Sequence, residues 1–214
     1  MKRVIFYYDG FNFYNGLRAK SIIEPNWKNY YWLDLVKFSS QFFIENGGID
    51  KVKYFSSPPH NPQKKSKQSA LFAANTAVNK DKFEVIMGQY NSETMFCNGH
   101  CKKEFEYLSE KRTDVNIALN MFYDCYKDIV DTLVLVCADS DQIPTIQMIK
   151  KVFPEKKVKV YFPPERNSTE IFSIAKPIVF LNDHEEKFKV SMLPTIVVND
   201  TTTKTYHKPS DWKK

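Results

Sequence analysis

The chain has 214 residues, 43% of them hydrophobic and 15% aromatic, which is enough for one α/β domain with a packed core and excludes a disordered chain. No run of about 18 apolar residues is present, so we expect no membrane span. The charge at Asp9 interrupts any signal-peptide core, and four cysteines are too few for a disulfide framework, so a cytoplasmic protein is expected.

The net charge of +6 is compatible with a polyanionic partner. Half of that excess lies in residues 201–214, which contain four lysines and one aspartate. The remainder is only mildly basic, so charge alone does not identify a nucleic-acid binder.

In chain order, strand-like runs alternate with helical patterns. Strands are predicted at 3–8, 51–56, 83–88, 132–138, 157–162 and 177–181, and helices near 11–20, 32–46, 63–80, 112–130, 141–152 and 168–176. The alternation predicts an α/β fold with a central, mostly parallel sheet covered by helices on both faces. In the helix at 112–130, Val115, Ala118, Leu119 and Phe122 have the spacing of a buried face.

Two regions depart from the alternation. Residues 89–110 have no clear period, and we predict an irregular loop there; Cys97, His100 and Cys101 resemble half of a zinc site, but no second cysteine pair completes it. Residues 182–214 are predicted to form a C-terminal extension that packs on a domain of residues 1–181, with 192–198 as an edge strand. The aromatic residues at 27 and 30–32 could stack bases, although core packing is the better interpretation.

Four carboxylates form a candidate metal site: Asp9, Asp114, Asp139 and Asp141. Asp9 follows the first predicted strand, and Asp139 and Asp141 follow the fourth. Ligands bind at the carboxyl ends of the strands in parallel α/β sheets. Acids brought together there repel one another unless a cation lies between them. Oxygen-only ligands favour Mg²⁺ or Mn²⁺.

Each acid also has a local structural interpretation. Asp9 could end a turn, Asp114 could be a first-turn helix acid, and Asp141 could cap the helix that follows it. Asp-x-Asp is also found in glycosyltransferases and in haloacid dehalogenase-like phosphatases, but a motif after the fourth strand disfavours the phosphatase. We interpret Asp124, Asp128 and Asp131 as solvated surface residues.

Several polar residues are candidates for binding phosphate. Asn12 follows the first strand closely, and a lysine group follows the second strand. Arg166 and Ser168 follow the fifth strand, where a helix N-terminus also attracts anions. The full set is Asn12, Lys64, Lys65, Lys67, Arg166 and Ser168. Solvated helix starts and a Ser168 helix cap are the structural alternatives.

The motifs together resemble the NYN domain family, a branch of the PIN-like ribonuclease superfamily that includes the LabA-like proteins. The matching segments are Tyr8-Asp9-Gly10-Phe11-Asn12-Phe13, residues 110–119 around Asp114, and residues 131–141 ending in Asp139-Ser140-Asp141. The resemblance implies a PIN-like three-layer sandwich whose acidic pocket binds Mg²⁺ or Mn²⁺ and cuts RNA. It assigns Asp9, Asp114, Asp139 and Asp141 to the metal site, with Asn12 beside them. Asn120 stands where many members have an aspartate, which would weaken metal affinity if that position is a ligand.

The resemblance therefore predicts a metal-dependent endoribonuclease with RNA as its partner, and such domains commonly form homodimers. A non-catalytic RNA-binding module and a Mg²⁺-dependent phosphatase or nucleotide-processing enzyme are the alternatives.

Overall fold

The computed structural model describes residues 2–97 and 104–212. The strands are β1 Val4–Asp9, β2 Lys51–Ser56, β3 Phe83–Met87, β4 Gln89–Phe96, β5 Glu104–Lys111, β6 Thr132–Val136, β7 Lys157–Phe162, β8 Ile178–Phe180, β9 Ile196–Val198 and β10 Thr205–His207. The helices are α1 Gly10–Ile23, α2 Leu35–Ser40, α3 Pro62–Asn79, α4 Thr113–Tyr126, α5 Ile143–Val152, α6 Thr169–Ile174 and α7 Glu185–Val190.

The core of the fold is a six-stranded parallel sheet in the order β3-β2-β1-β6-β7-β8. Its central strands β1 and β6 are buried on both faces, as is typical of a parallel sheet covered by helices on both sides. On one face, Phe6 and Tyr8 of β1 pack with residues of α1, α2 and α3. On the other face, Ile5 and Tyr7 pack with residues of α4, α5 and α6. The predicted α/β fold with a central parallel sheet is confirmed.

A glycine allows the first helix to begin directly at the end of β1. A Cβ atom on Gly10 would lie 2.4 Å from Tyr54 Cε1 and 2.5 Å from the carbonyl oxygen of Phe55. Only a residue without a side chain allows this close approach of α1 to β2. The approach fixes the direction in which the chain leaves Asp9.

The predicted irregular loop at 89–110 is wrong. Strands β4 and β5 pair antiparallel there, from Gln89 opposite Lys111 to Phe96 opposite Glu104. Four consecutive polar residues, Asn91 to Thr94, lie in the middle of β4, and no apolar run marked either segment as a strand. The predicted half zinc site lies partly outside the described residues, because His100 and Cys101 are not described. Cys97 forms no disulfide with any described cysteine.

Two other local predictions need correction. The single helix expected at 32–46 is only Leu35–Ser40, between short 3-10 turns. The buried face predicted for α4 is wrong, because Val115 and Leu119 are 60% and 62% exposed while Ile117 and Met121 are buried. The helix is apolar on more than one side, so periodicity alone could not identify the buried face.

Residues 182–212 contact the face of the sheet that carries α1 and α2. Strand β9 pairs with β10 in a separate antiparallel ribbon, so the predicted edge strand of the main sheet is wrong. The Trp212 ring lies 5.5 Å from the Tyr31 ring, and Trp212 is 7% exposed. The aromatic residues at 27 and 30–32 are buried, which confirms core packing. The division at residue 181 stays a prediction.

Within 2–97 and 104–212, no helix is both long and apolar enough to cross a membrane.

Candidate metal centre

The site lies where the strand order reverses. Strands β1 and β6 are neighbours in the sheet, with Tyr8 paired to Val136, yet β2 follows β1 on the other side. Asp9 ends β1, and Asp139 follows β6 after two residues. Ligand sites form at such a switch point because the loops leaving the two strands diverge.

Three of the four predicted carboxylates meet there. Asp9, Asp114 and Asp139 each place one carboxylate oxygen within 4.8 Å of the others. Asp9 is buried, Asp139 is half-buried, and Asp114 is exposed in the first turn of α4. Asp141 is exposed and does not belong to this group. The group is called the acidic trio below.

Asp9 is held in place by hydrogen bonds from two directions. Its Oδ1 accepts from the backbone N–H of Asn12 at 2.9 Å, which caps α1. Its Oδ2 accepts from the Cys137 thiol at 3.1 Å. Burial and the Asp9 carboxylate raise the pKa of the Cys137 thiol well above its usual value, so the thiol stays protonated and can donate.

Asn12 joins the loops that follow β1 and β6. Its Oδ1 accepts from the backbone N–H of Ala138 at 3.2 Å. The side-chain Nδ2 is therefore the part of Asn12 that can donate to a phosphate oxygen. Asn12 lies next to the acids, as the resemblance implied.

The helix-capping role expected of Asp141 belongs to Asp139. Asp139 Oδ1 accepts from the backbone N–H of Asp141 at 3.0 Å and caps the 3-10 turn before α5. The cap orients the Asp139 carboxylate, while the Asp141 side chain extends to solvent. A role for Asp141 in metal binding stays a prediction.

Gln142 is a residue at the site that sequence reasoning missed. It is 1% exposed, and its Nε2 donates to Asp114 Oδ1 at 3.2 Å. Its Oε1 is buried and has no hydrogen-bond partner among the described residues. The only sequence signal was its position three residues after Asp139. Gln142 links α4 to the loop that carries Asp139, and it holds an unsatisfied acceptor beside the acids.

A second polar cluster lies between the sheet and α4. Lys53 Nζ is 2.8 Å from Asp124 Oδ2, and the Tyr7 hydroxyl donates to the same carboxylate at 2.6 Å. Asp124 is fully buried, so its predicted surface position is wrong. Asn120 Oδ1 accepts from Lys53 Nζ at 3.2 Å, and Asn120 Nδ2 donates to the Asn116 carbonyl. The neutral residue noted in the sequence thus belongs to this buried cluster.

The predicted phosphate ligands are dispersed. Lys64 and Lys67 line a cleft beside α1, whereas Lys65 is exposed outside it. Arg166 is also exposed. The Ser168 hydroxyl accepts from the Ile171 N–H at 3.3 Å, which is the helix-cap alternative for this residue.

The donor chemistry of the acidic trio fits a divalent cation. Three carboxylates within 4.8 Å repel one another strongly when ionised, and a cation among them removes that repulsion. Carboxylate oxygens suit hard ions such as Mg²⁺ and Mn²⁺. The unsatisfied Gln142 Oε1 adds an oxygen acceptor nearby.

The sequence matches the model of the NYN domain family over residues 3–182, and the chain belongs to that family. NYN domains are PIN-like nuclease domains, which indicates a nuclease or RNA-related function, and such nucleases generally use divalent metals. The resemblance seen in the sequence is therefore confirmed.

Two relatives extend the comparison. The 6-hydroxy-3-succinoylpyridine 3-monooxygenase of Pseudomonas putida is 26% identical, over 69% of this chain and 55% of its own length, so the chain spans about half of that relative. The crystal structure of a protein of unknown function from Vibrio parahaemolyticus superposes with a TM-score of 0.52 at 18% identity, over 85% of this chain and 94% of that one. The similarity to the Vibrio protein shows that the two chains share a fold.

Proposed function

We propose that the chain is a metal-dependent endoribonuclease that hydrolyses RNA phosphodiester bonds with Mg²⁺ or Mn²⁺. The observation that carries the proposal is the acidic trio at the switch point of a NYN domain. Such a position is where parallel α/β sheets bind their ligands. RNA is the substrate on which NYN nuclease domains act.

In this proposal Asp9, Asp114 and Asp139 hold the cation, and Asp141 supplies a further carboxylate at the solvent side. A bound Mg²⁺ or Mn²⁺ would polarise the scissile phosphate and lower the pKa of a water molecule. The protein orients the carboxylates through the two helix caps at Asp9 and Asp139. It also keeps the Cys137 thiol protonated, so that residue donates to Asp9 rather than adding charge.

The basic residues would hold the RNA backbone. Lys64, Lys65, Lys67 and Arg166 would contact flanking phosphates, and the Asn12 amide would donate near the scissile one. Ser168 accepts a hydrogen bond through its oxygen as a helix cap, so its hydroxyl proton is still able to donate.

Cleavage of labelled RNA with Mg²⁺ or Mn²⁺ tests the proposal. Asp139→Asn and Asp9→Asn should each lower the cleavage rate by more than the roughly 10–100-fold that loss of an outer-shell partner costs. EDTA should abolish cleavage, and added Mn²⁺ should restore it. Asp200→Asn is the control, because it also removes one negative charge but at an exposed residue that is not part of the acidic trio. Equal cleavage by wild type and both trio variants would contradict the proposal.

A non-catalytic RNA-binding module is the second candidate. It is favoured by Asn120, a neutral side chain that bonds to Lys53 where many family members have an acid. This candidate predicts RNA affinity that survives Asp139→Asn and falls steeply with salt. A phosphatase or nucleotide-processing enzyme would instead turn over small phosphoesters without cutting RNA. The homodimer remains a prediction, which sedimentation of the purified chain tests.

A further inference from the structure

A cleft of about 510 Å³ opens beside α1 at the carboxyl ends of β1 and β2. Its volume is within the roughly 300–1,000 Å³ of pockets that enclose small organic ligands. Buried apolar side chains form much of the lining, among them Phe13, Leu17 and Leu35. The cleft is separate from the acidic trio, none of whose members lines it.

Exposed aromatic rings stand at this cleft. Phe11 and Tyr14 lie three residues apart on α1, and they are 52% and 36% exposed. The Tyr14 ring centroid is 5.4 Å from that of Tyr31, which also lines the cleft. Exposed rings beside an apolar floor offer a surface on which a flat ring can stack.

The charges lining the cleft favour an anion. Among the described residues, the lining includes Arg18, Lys28, Lys64 and Lys67 but only one acid, Asp211. Lys67 pairs with Asp211, and that pairing holds the pKa of the Asp211 carboxyl below its usual value. The other three cations form no salt bridge with any residue in the described part of the chain. The occupant that fits should therefore combine a flat aromatic ring with an anionic group.

The cleft adjoins the proposed catalytic site. Gly10 and Phe11 line it, and they directly follow Asp9 of the acidic trio. The Tyr54 hydroxyl, on the cleft wall, donates to the carbonyl oxygen of Gly10 at 3.3 Å. A strand of RNA whose phosphate lies at Asp9 would have a neighbouring nucleotide within reach of this opening.

We propose that the cleft binds one unpaired nucleotide of the RNA, with its base against Phe11 and Tyr14 and its phosphate on Lys64 and Arg18. The proposal rests on the proposed function and narrows its substrate class to RNA that is single-stranded beside the cut. A base in a duplex is stacked and paired, so its faces are not available to protein rings. Every base has a flat face, so the cleft should tolerate different sequences.

Binding without cleavage tests the proposal. A short fluorescein-labelled single-stranded RNA is titrated with protein in EDTA, and anisotropy gives the Kd. Phe11→Ala and Tyr14→Ala should each weaken binding by roughly 5- to 150-fold, the loss expected when a stacking ring is removed. Tyr126→Ala is the matched control, because Tyr126 is 70% exposed on α4 and does not line the cleft. Lys64→Gln should weaken binding and reduce its salt dependence by about one counterion.

Three further arms make the result decisive. An RNA duplex of the same sequence should compete poorly, and equal competition would overturn the proposal. AMP tested alone separates a free nucleotide from RNA, because tight AMP binding with no RNA binding would also overturn it. The proposal would also be overturned if Phe11→Ala and Tyr14→Ala both bind RNA as tightly as wild type while circular dichroism shows that they are folded. The endoribonuclease proposal fails in a different assay, if Asp139→Asn and wild type cleave RNA equally. The binding measurements in EDTA do not depend on cleavage, so they can still be interpreted in that case.

Discussion

Replacing Lys53 with methionine should lower the free energy of unfolding by about 3–5 kcal/mol. Lys53 is 7% exposed on β2, and Asp124 on α4 is fully buried. The Lys53 Nζ lies 2.8 Å from one Asp124 oxygen and 2.9 Å from the other. Methionine keeps most of the side-chain volume but leaves the carboxylate buried without its cation. The Tyr7 hydroxyl would remain as a donor, so the loss should not exceed this range.

An exposed ion pair on the same strand provides the control. Lys51 on β2 pairs with Glu84 on β3 at 3.2 Å, and these side chains are 35% and 44% exposed. Such pairs contribute about 0–1 kcal/mol, so Lys51→Met should have little effect. The double variant Lys53→Met with Asp124→Leu should recover much of the stability, because two apolar side chains replace both buried charges.

Urea unfolding followed by far-UV circular dichroism measures these differences. The loss for Lys53→Met should also lower the Tm by roughly 6–20 °C for a chain of this size. Two results would refute the reasoning. Either Lys53→Met is no less stable than Lys51→Met, or the double variant is as unstable as Lys53→Met alone.

Three further predictions concern the backbone, the C-terminal segment and acid stability. Gly10→Ala should destabilise the fold by about 1–3 kcal/mol in urea unfolding, because its Cβ would lie 2.5 Å from the Phe55 carbonyl oxygen; unchanged stability would disprove this close approach. Trp212→Ala should cost about 3–5 kcal/mol by the same measurement if residues 182–212 pack on the domain as an extension, and a loss under 1 kcal/mol would mean that they do not. The hydrogen bonds from Arg3 hold the pKa of Asp131 below its usual range, so Asp131 contributes stability above about pH 4 that is lost as pH falls. Asp131→Asn should therefore flatten the decline in stability on acidification, and a decline as steep as that of wild type would contradict this linkage.

The centre of the sheet could be predicted because strands β1 and β6 are almost continuously apolar. Residues 132–136 are buried at every position, and all of them except Thr132 are apolar. Buried strands of this kind have few alternative structures, and the helices between them follow from the chain reversal that parallel strands need. The β4–β5 hairpin could not be predicted, because its strands have no apolar run and their pairing is antiparallel.

The face of α4 that contacts the sheet was harder to predict. The apolar spacing of Val115 and Leu119 indicated one face, but Ile117 and Met121 form the buried one. Asp124 lies on that buried face, where its charge made a surface position the natural expectation. Its partner Lys53 is 71 residues away in sequence, so no local pattern could reveal the pair.

The Lys53–Asp124 pair also helps to position one member of the acidic trio, Asp114. Asp9 ends β1 and Asp139 follows β6, and this position after an apolar strand made both acids recognisable in the sequence. Asp114 had no such signal, and its place depends on how α4 lies across the sheet. Lys53 and Asp124 tie α4 to β2, and the Tyr7 hydroxyl ties it to β1 two residues before Asp9. A buried carboxylate that needs a particular lysine permits few alternative orientations of the helix. The aspartate misjudged as surface therefore helps to place the acid that sequence alone supported least.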